Sequence, residues 1–321
     1  MITLTITEDN AGSRLDRIIR KNLPLRPLSD IYRLIRVGQV TVNEKKSKQE
    51  RRVLAGDIVR INVDSSELRP AQTDSAEALR DLARTDFYKR NFSVIYEDED
   101  LLACNKPGGL VVHPGSGHET HDTLIDLVAC YFASPMRAAA AIEPVLVHRI
   151  DRDTSGIILI AKNKRILRRL HESFRERDID KKYVAVCHGR TPKKKGVIEA
   201  NLIKTVELNS GTKVSVHETG LYSKTEYSVV RSNGALTLLE VTLGTGRTHQ
   251  IRVHLAHIGC PIVGDVRYGD KALDHTLFSE KRISRRLYLH AAHIGFFHPM
   301  KKKLIELTAP IPESFEKILD A

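Results

Sequence analysis

The stretch VLVHRIDRDTSGIILIAKN, Val145 to Asn163, decides how this chain is read. Two apolar runs of strand character flank the charged segment His148-Arg149-Ile150-Asp151-Arg152-Asp153. Strands rich in Val and Ile mark a buried sheet, where an ionised carboxylate is costly unless a cation and hydrogen bonds hold it. A strand meeting a tight Thr-Ser-Gly turn places Asp151 at a strand end, where its carboxylate projects into a cleft while the backbone stays rigid. Charge in that position is a candidate for chemistry. The aspartic-protease signature does not fit: Asp153-Thr154-Ser155-Gly156 has one residue too many for Asp-Thr-Gly or Asp-Ser-Gly, and no second copy follows.

Two further stretches belong with the first. DKKYVAVCHG, Asp180 to Gly189, reads as a strand with Tyr183 in its middle, either a platform for stacking on a base or an ordinary sheet aromatic. LLEVTLGTGRTHQIRVHLAHIGCPIVGDVRYG, Leu238 to Gly269, contains Gly244-Thr245-Gly246 with no third Gly and no following Lys-Ser/Thr, so neither a dinucleotide fingerprint nor a P-loop is present. His254 and His257 stand one helical turn apart beyond His249, but no HExxH, Cys pair or acidic cluster accompanies them; structural or RNA-facing roles outweigh a metal. Arg247 and Arg252 carry more weight, because an arginine can both stabilise a buried carboxylate and grip phosphate.

Composition sets the frame. The 321 residues suit two domains, one larger than usual. Lys and Arg number 51 against 40 Asp and Glu, and the formal charge of +11 favours a polyanionic partner such as nucleic acid. Cys104, Cys130, Cys187 and Cys260 are scattered without a close pair, as reduced, buried thiols of a cytoplasmic protein would be. The N-terminus alternates like a strand rather than a signal peptide, and no apolar run is long enough to span a bilayer, so secretion and membrane insertion are not expected.

Residues 1–63 read as a small basic module with 13 Lys and Arg against 7 Asp and Glu. SRLDRIIRKNL and SDIYRLIRVGQ have helical spacing, with Ser13 and Ser29 as expected N-caps and Gly38 ending the second helix. QVTVN and DIVRINV alternate as half-buried strands, joined by the polar NEKKSKQERR. This segment resembles an S4 domain, a small α/β RNA-binding fold, over residues 13–63. The resemblance implies that Arg14, Arg17, Arg33, Arg36 and Lys45 face RNA, where neutralised phosphates give salt-sensitive affinity with little sequence preference. Residues 64–92, with Ser, Pro and mixed charges, suit a linker. From residue 93 the chain alternates strands, turns and a few helices, including KRILRRLHESFRERD, RTHQIRVHLAHIG and PESFEKILD, which predicts an α+β domain.

Together these stretches resemble the RluA family of RNA pseudouridine synthases, whose hallmark is His-Arg-Leu-Asp followed by Thr-Ser-Gly; Ile150 replaces Leu here. The likeness continues through NKPGGLVVHPG, KKYVAVCHG, TGRTHQIRVHLAHIGCPIVGDVRYG and LYLHAAHIGFFHP, and covers about residues 93–321. With the S4-like module in front, it points to the bacterial RluC and RluD branch acting on large-subunit ribosomal RNA, and DKALDH leans toward RluC. The resemblance implies a mixed, mainly antiparallel sheet in the catalytic domain. It also implies a catalytic Asp151, an active-site Tyr183, and Arg252 as the carboxylate's partner. Arg149 would fill the space left by a flipped nucleotide, and Arg247 and His249 would lie near the RNA backbone; Asp153 acquires no role.

The reaction so implied breaks the bond from ribose C1′ to uracil N1, turns the base, and rejoins C1′ to C5, with no cofactor or metal required. The uridine must leave the RNA stack first, at a cost of about a few kcal/mol repaid by the pocket. Asp151 acts either as nucleophile at C1′ or as base at C2′. A single essential carboxylate suits isomerisation, whereas glycoside hydrolases commonly pair two and admit water. The rival readings are an RluD-like synthase with a different set of sites, a catalytically idle ribosomal-RNA-binding or assembly factor, and a base-removing hydrolase. A monomer is the expected state.

Overall fold

The computed structural model describes residues 2–7, 10–23, 28–63, 86–113, 123–132, 144–207, 211–280 and 283–320. By contact the chain divides into two units, residues 1–78 and 79–321. The small unit holds β1 (Ile2–Thr5), α1 (Leu15–Asn22), α2 (Leu28–Val37), β2 (Val40–Val42), β3 (Lys45–Lys46) and β4 (Ile58–Ile61). Its four strands form an antiparallel sheet in the order β1-β4-β2-β3. The apolar faces of both helices meet this sheet: Leu15, Ile19 and Ile31 are fully buried with Val40, Val42, Val59 and Ile61. Each such side chain contributes about 1.5–3 kcal/mol of burial.

Local details depart from the sequence expectation. Arg14, not Ser13, caps α1, and it makes no side-chain cap bond. Tertiary pairing decides this: the Ser13 carbonyl accepts from the Val53 N–H, Leu15 N–H donates to Arg51, and Arg14 bridges Arg52 as extended chain. Ser29 falls inside α2. Gly38 does end α2, with φ of +80°. The polar connection after β2 is partly strand, because Asn43 and Glu44 at positive φ turn the chain tightly enough for Lys45–Lys46 to pair with Val42 and Thr41.

Residues 64–85 of the expected linker lie outside the described residues, and Asp86–Asn91 form a short helix, α3. Tyr88 stacks on Phe92 at 5.2 Å, and both pack against buried Leu102, Cys104 and Ile158, so this part of the chain belongs to the larger unit.

The larger unit continues with β5 (Val94–Glu97), β6 (Leu101–Lys106), α4 (Leu124–Phe132), β7 (Val145–Leu146), β8 (Ser155–Ala161), α5 (Lys164–Glu176) and β9 (Ile179–His188). Then follow β10 (Lys195–Glu207), β11 (Gly211–Val216), β12 (Leu221–Ser232), β13 (Leu236–Leu243), α6 (Gln250–His257), α7 (Lys271–Glu280), β14 (Leu289–His298), β15 (Lys303–Thr308) and α8 (Ser314–Asp320). The strands make one 11-stranded sheet, β11-β10-β12-β13-β9-β14-β8-β6-β5, with β15 beside β14 and β7 beside β8. This is the expected α+β arrangement, mainly antiparallel. Among the named strands of the described residues, β14 and β8 are the pair that runs parallel, joining His290 to Ser155 and Ala291 to Gly156.

That junction explains part of the Thr-Ser-Gly turn. Gly156 has φ of +115°, and a Cβ there would stand 2.2 Å from the Ala291 carbonyl oxygen. The following residues of β8 are buried on both faces. Ile157, Leu159 and Ala161 pack with Ile166 and Leu170 of α5, while Ile158 and Ile160 pack with Leu124 and Leu127 of α4. A strand covered on both sides reads as a continuous apolar run, as GIILIA does. All four cysteines are buried and free, and no helix among the described residues is long and apolar enough to cross a membrane.

Candidate active site

Between β7 and β8 the chain leaves the sheet over His148–Thr154, and three neighbours hold that segment in place. His148 stacks on Phe174 of α5 at 5.1 Å, and its Nε2 accepts the Leu159 N–H at 3.1 Å. Burial, reinforced by the charge of Lys181, takes its pKa down to about 3, so the ring is a neutral acceptor. The Thr154 N–H closes the turn onto the Asp151 carbonyl at 3.2 Å. From the other side, Lys106 at the end of β6 is fully buried and donates to the carbonyls of Pro107 (2.8 Å), Leu110 (2.9 Å) and Arg152 (2.6 Å). Three acceptors match the three donors of an ammonium. Burial lowers the Lys106 pKa to about 7, opposed by Asp153 and Asp151; the carbonyl cage favours the protonated form that ties the two loops together.

Asp151 thus stands in the wall of a cleft of about 1550 Å3, with its side chain 27% exposed. Arg252 Nη1 donates to Asp151 Oδ2 at 2.9 Å. The remainder of the guanidinium is engaged by Asp265, with Nε donating to Oδ2 at 2.7 Å and Nη2 to Oδ1 at 2.8 Å. Asp265 also accepts the backbone N–H groups of Arg267 and Tyr268. Burial pushes the Asp265 carboxyl up, but Arg252 and those N–H donors outweigh it and hold it below the usual carboxylate range. The Arg252 guanidinium lies 5.1 Å from the centre of the Tyr268 ring.

The turn before α6 positions this arginine. Gln250, buried, accepts from the Arg247 N–H and the Thr245 hydroxyl and donates to the Lys224 carbonyl of β12, tying Thr245 to Arg247 to the sheet. The helix therefore begins at Gln250, three residues later than its sequence pattern predicts, after His249 in the left-handed region at φ of 53°. His249 Nδ1 lies 2.8 Å from the Tyr268 hydroxyl, and its Nε2 lies 3.8 Å from Asp151 Oδ2. The Tyr268 oxygen already accepts the Val214 N–H, leaving its proton for His249. Burial, against the attraction of Asp151, lowers the His249 pKa, so the ring is neutral and its Nε2 proton faces the carboxylate.

Tyr183 lines the same cleft from β9, between Val241 of β13 and Ala291 of β14. Burial, with the charge of Asp151 adding to it, raises its phenol pKa, so Tyr183 stays protonated. Arg149 and Arg247 are exposed on the cleft wall. Six of the predicted residues, Asp151, Tyr183, Arg252, Arg149, Arg247 and His249, therefore converge on one cleft. The other five lie in the small unit. Arg17, Arg36 and Lys45 are exposed there, Arg33 pairs with Asp30 at 3.4 Å, and Arg14 is held by Asp16 through bonds of 3.1 and 2.7 Å.

Asp265, Tyr268, Lys106 and His148 are contributors that carried no assigned role in the sequence. One signal for Asp265 was present: Arg252 sits among apolar residues of α6, and Asp265 is the first acid after it in the chain. His254 is structural, bonded to Ser223 and Thr225 at 2.9 Å each. Among the described residues the acid and histidine group close enough to hold a metal is Asp98, Asp100 and His298, none of which lines the cleft, and Asp98 already binds Lys301 at 2.9 Å.

Residues 100–257, which include Asp151, Tyr183 and Arg252, match the family described as RNA pseudouridylate synthase. The chain is 39% identical over 321 residues to the ribosomal large subunit pseudouridine synthase C of Vibrio vulnificus, covering 98% of this chain and 95% of that one. It is 37% identical to the protein of the same name from Escherichia coli, again over 98% and 95% of the two chains. The chain belongs to the RNA pseudouridylate synthase family. Among solved structures, human RNA Pseudouridylate Synthase Domain Containing 4 aligns with a TM-score of 0.57 at 24% identity, over 77% of this chain and 96% of that one. The corresponding human domain-containing 1 protein aligns at 0.56 and 23% identity. These two likenesses establish the synthase fold around the cleft.

Proposed function

We propose that this pseudouridine synthase isomerises uridines in large-subunit ribosomal RNA, with Asp151 as its catalytic carboxylate. The observation that carries the reading is the 2.9 Å contact of Asp151 with Arg252 in the wall of a basic cleft. The relatives named for the large ribosomal subunit support the RNA substrate through identity over nearly the full chain.

A uridine flipped into the cleft would present its C1′ to Asp151, with the Tyr183 ring against the base. Asp151 either attacks C1′, forming a glycosyl ester as the bond to N1 breaks, or takes the C2′ proton as that bond breaks. After the detached uracil turns, C5 bonds to C1′, either displacing the Asp151 carboxylate from the ester or joining C1′ as Asp151 returns the proton to C2′; the C5 proton is then lost while N1 gains one. The protonated phenol of Tyr183 is unsuited to act as a base before this rotation and suited to packing or donation. Arg252, immobilised by Asp265, faces Asp151 without having to reorganise during the reaction. Arg149 takes the place the uridine vacates, and Arg247 and His249 sit toward the ribose-phosphate backbone.

The small basic unit supplies the rest of the affinity, acting as an S4-like RNA-binding module through Arg17, Arg33, Arg36 and Lys45, with Arg14 shaping the helix start. The site set is RluC-like, and the protein acts as a cytoplasmic monomer. The test is to incubate the full chain with unmodified large-subunit ribosomal RNA and map pseudouridine by carbodiimide labelling and reverse transcription. Protein-dependent stops that vanish with Asp151→Asn are the expected result. Their absence on both precursor RNA and assembled subunits would favour a binding factor, and release of free uracil would favour a hydrolase.

A further inference from the structure

Helix α5 has two exposed faces of different charge. At 100° per residue, Lys164, Arg168, His171 and Arg175 fall on one stripe, while Arg165, Arg169, Glu172 and Glu176 fall about 100° away. The first stripe carries no acid. The second is balanced, and Arg169 pairs with Glu172 at 3.5 Å. Ile166 and Leu170 point into the core and set the helix's rotation.

The rotation gives the charge difference its meaning. His171, Phe174 and Arg175 line the cleft that holds Asp151, whereas Arg165, Arg169, Glu172 and Glu176 do not; the acid-free stripe therefore enters the cleft wall at its C-terminal half, with Arg168 next along it, beside Arg165, Arg169 and Glu172. A second, independent observation lies at the helix end. Arg177 caps α5 in the left-handed conformation, φ of 64°, a position that glycine usually takes. For an arginine that backbone costs about 1–2 kcal/mol, and the side chain so placed lines the cleft. Lys164 to Arg175 spans about 16 Å along the axis, the length of about five phosphates of a stacked strand.

We propose that the Lys164–Arg168–His171–Arg175 face of α5, with Arg177 at its end, is a phosphate track for the RNA strand leaving the cleft. The inference rests on the proposed synthase reading and deepens it. The partner is a ribose-phosphate backbone, because a file of Lys164, Arg168, Arg175 and Arg177 with no acid on its stripe, leading to a site that takes one nucleotide, matches repeated negative charge. The strand would be gripped through its phosphates, so the track adds affinity and orientation but no base preference.

The test compares two full-length variants with the same loss of charge, Arg168→Gln with Arg175→Gln on the cleft-side stripe, and Arg165→Gln with Arg169→Gln on the other. Glutamine preserves helix propensity, and thermal melts check that both variants fold. Binding to unmodified large-subunit ribosomal RNA is measured from about 50 to 200 mM salt, and pseudouridine formation is followed on the same RNA. The cleft-side variant is expected to lower the slope of log K against log salt by about 1–2, since each single-strand phosphate contact contributes about 0.7. Its KM should rise about ten-fold with kcat changed less than about three-fold, and the far-side variant should match wild type in both. Equal losses in the two variants would reduce the effect to bulk charge and overturn the track; so would an unchanged slope in the cleft-side variant, which would leave an acidic protein surface as the occupant. Failure of the wild type to form pseudouridine would instead count against the synthase reading, independently of the slopes.

Discussion

Asp265 grips two of the three nitrogens of Arg252, at 2.7 and 2.8 Å, and leaves Nη1 alone to meet Asp151. The arginine thereby serves as a fixed strut between the buried carboxylate of Asp265 and the partly exposed one of Asp151. Asp265→Asn should strand a buried guanidinium, lower stability by about 3–5 kcal/mol, and reduce pseudouridine formation at least ten-fold. Thermal melts and single-turnover assays check both. Wild-type melting and rate together would refute the strut.

Arg252→Lys tests geometry at constant charge. A single ammonium cannot make the fork to Asp265 and also reach Asp151. The expected result is a folded protein with RNA affinity near wild type and a rate constant about 100-fold lower, or about 2.7 kcal/mol of barrier. Retention of more than half the rate would mean that charge alone suffices.

Lys106 ties the loop after β6 to the Asp151 segment through three carbonyls. Lys106→Met keeps the length and removes the donors. Each stranded carbonyl costs about 1–3 kcal/mol, partly offset by removal of a buried charge, so a net loss near 2 kcal/mol is expected. Catalysis should fall more steeply than RNA binding, because Lys106 positions Asp151 without lining the cleft. An unchanged melting temperature and rate would count against the tie.

The buried histidines set an acid limit to stability. Burial lowers the pKa of His148 to about 3 and those of His254 and His290 to about 4, from 6.5 in the unfolded chain. Between pH 6.5 and 4 the unfolded chain therefore binds more protons, and stability present above pH 6.5 is lost as pH falls. At pH 5.5 each histidine costs about 1.4 kcal/mol, roughly 4 in all. Urea midpoints at pH 7.5 and 5.5 measure the loss, and His254→Gln should remove about one third of it. A midpoint that stays level would contradict the linkage.

Gly156→Ala places a methyl group 2.2 Å from the Ala291 carbonyl oxygen at a backbone φ of +115°. Overpacking and strain of about 1–3 kcal/mol each should open the parallel pairing of β8 with β14. Low soluble yield or a melting temperature several degrees lower is expected, and a fully stable variant would show that β14 can move aside.

Much of this protein was determined by the sequence itself. The apolar run of β8, the flanking charges and the amphipathic α5 are local patterns, and local patterns reveal strands, helices and the polar residues between them. Family resemblance added six residues that share one cleft. Tertiary structure decided the rest, because Asp151 and Arg252 lie 101 residues apart and no periodicity reports a partner so distant. It selected Asp265 as the anchor of Arg252, made Lys106 a buried tie rather than a surface cation, and moved the cap of α1 from Ser13 to Arg14 through pairing with residues 51–53. The two stripes of α5 are written in the sequence, yet which stripe faces the cleft depends on how Ile166 and Leu170 seat the helix. Hydrophobic pattern specifies what must be buried; the packing of distant elements specifies which charges then meet.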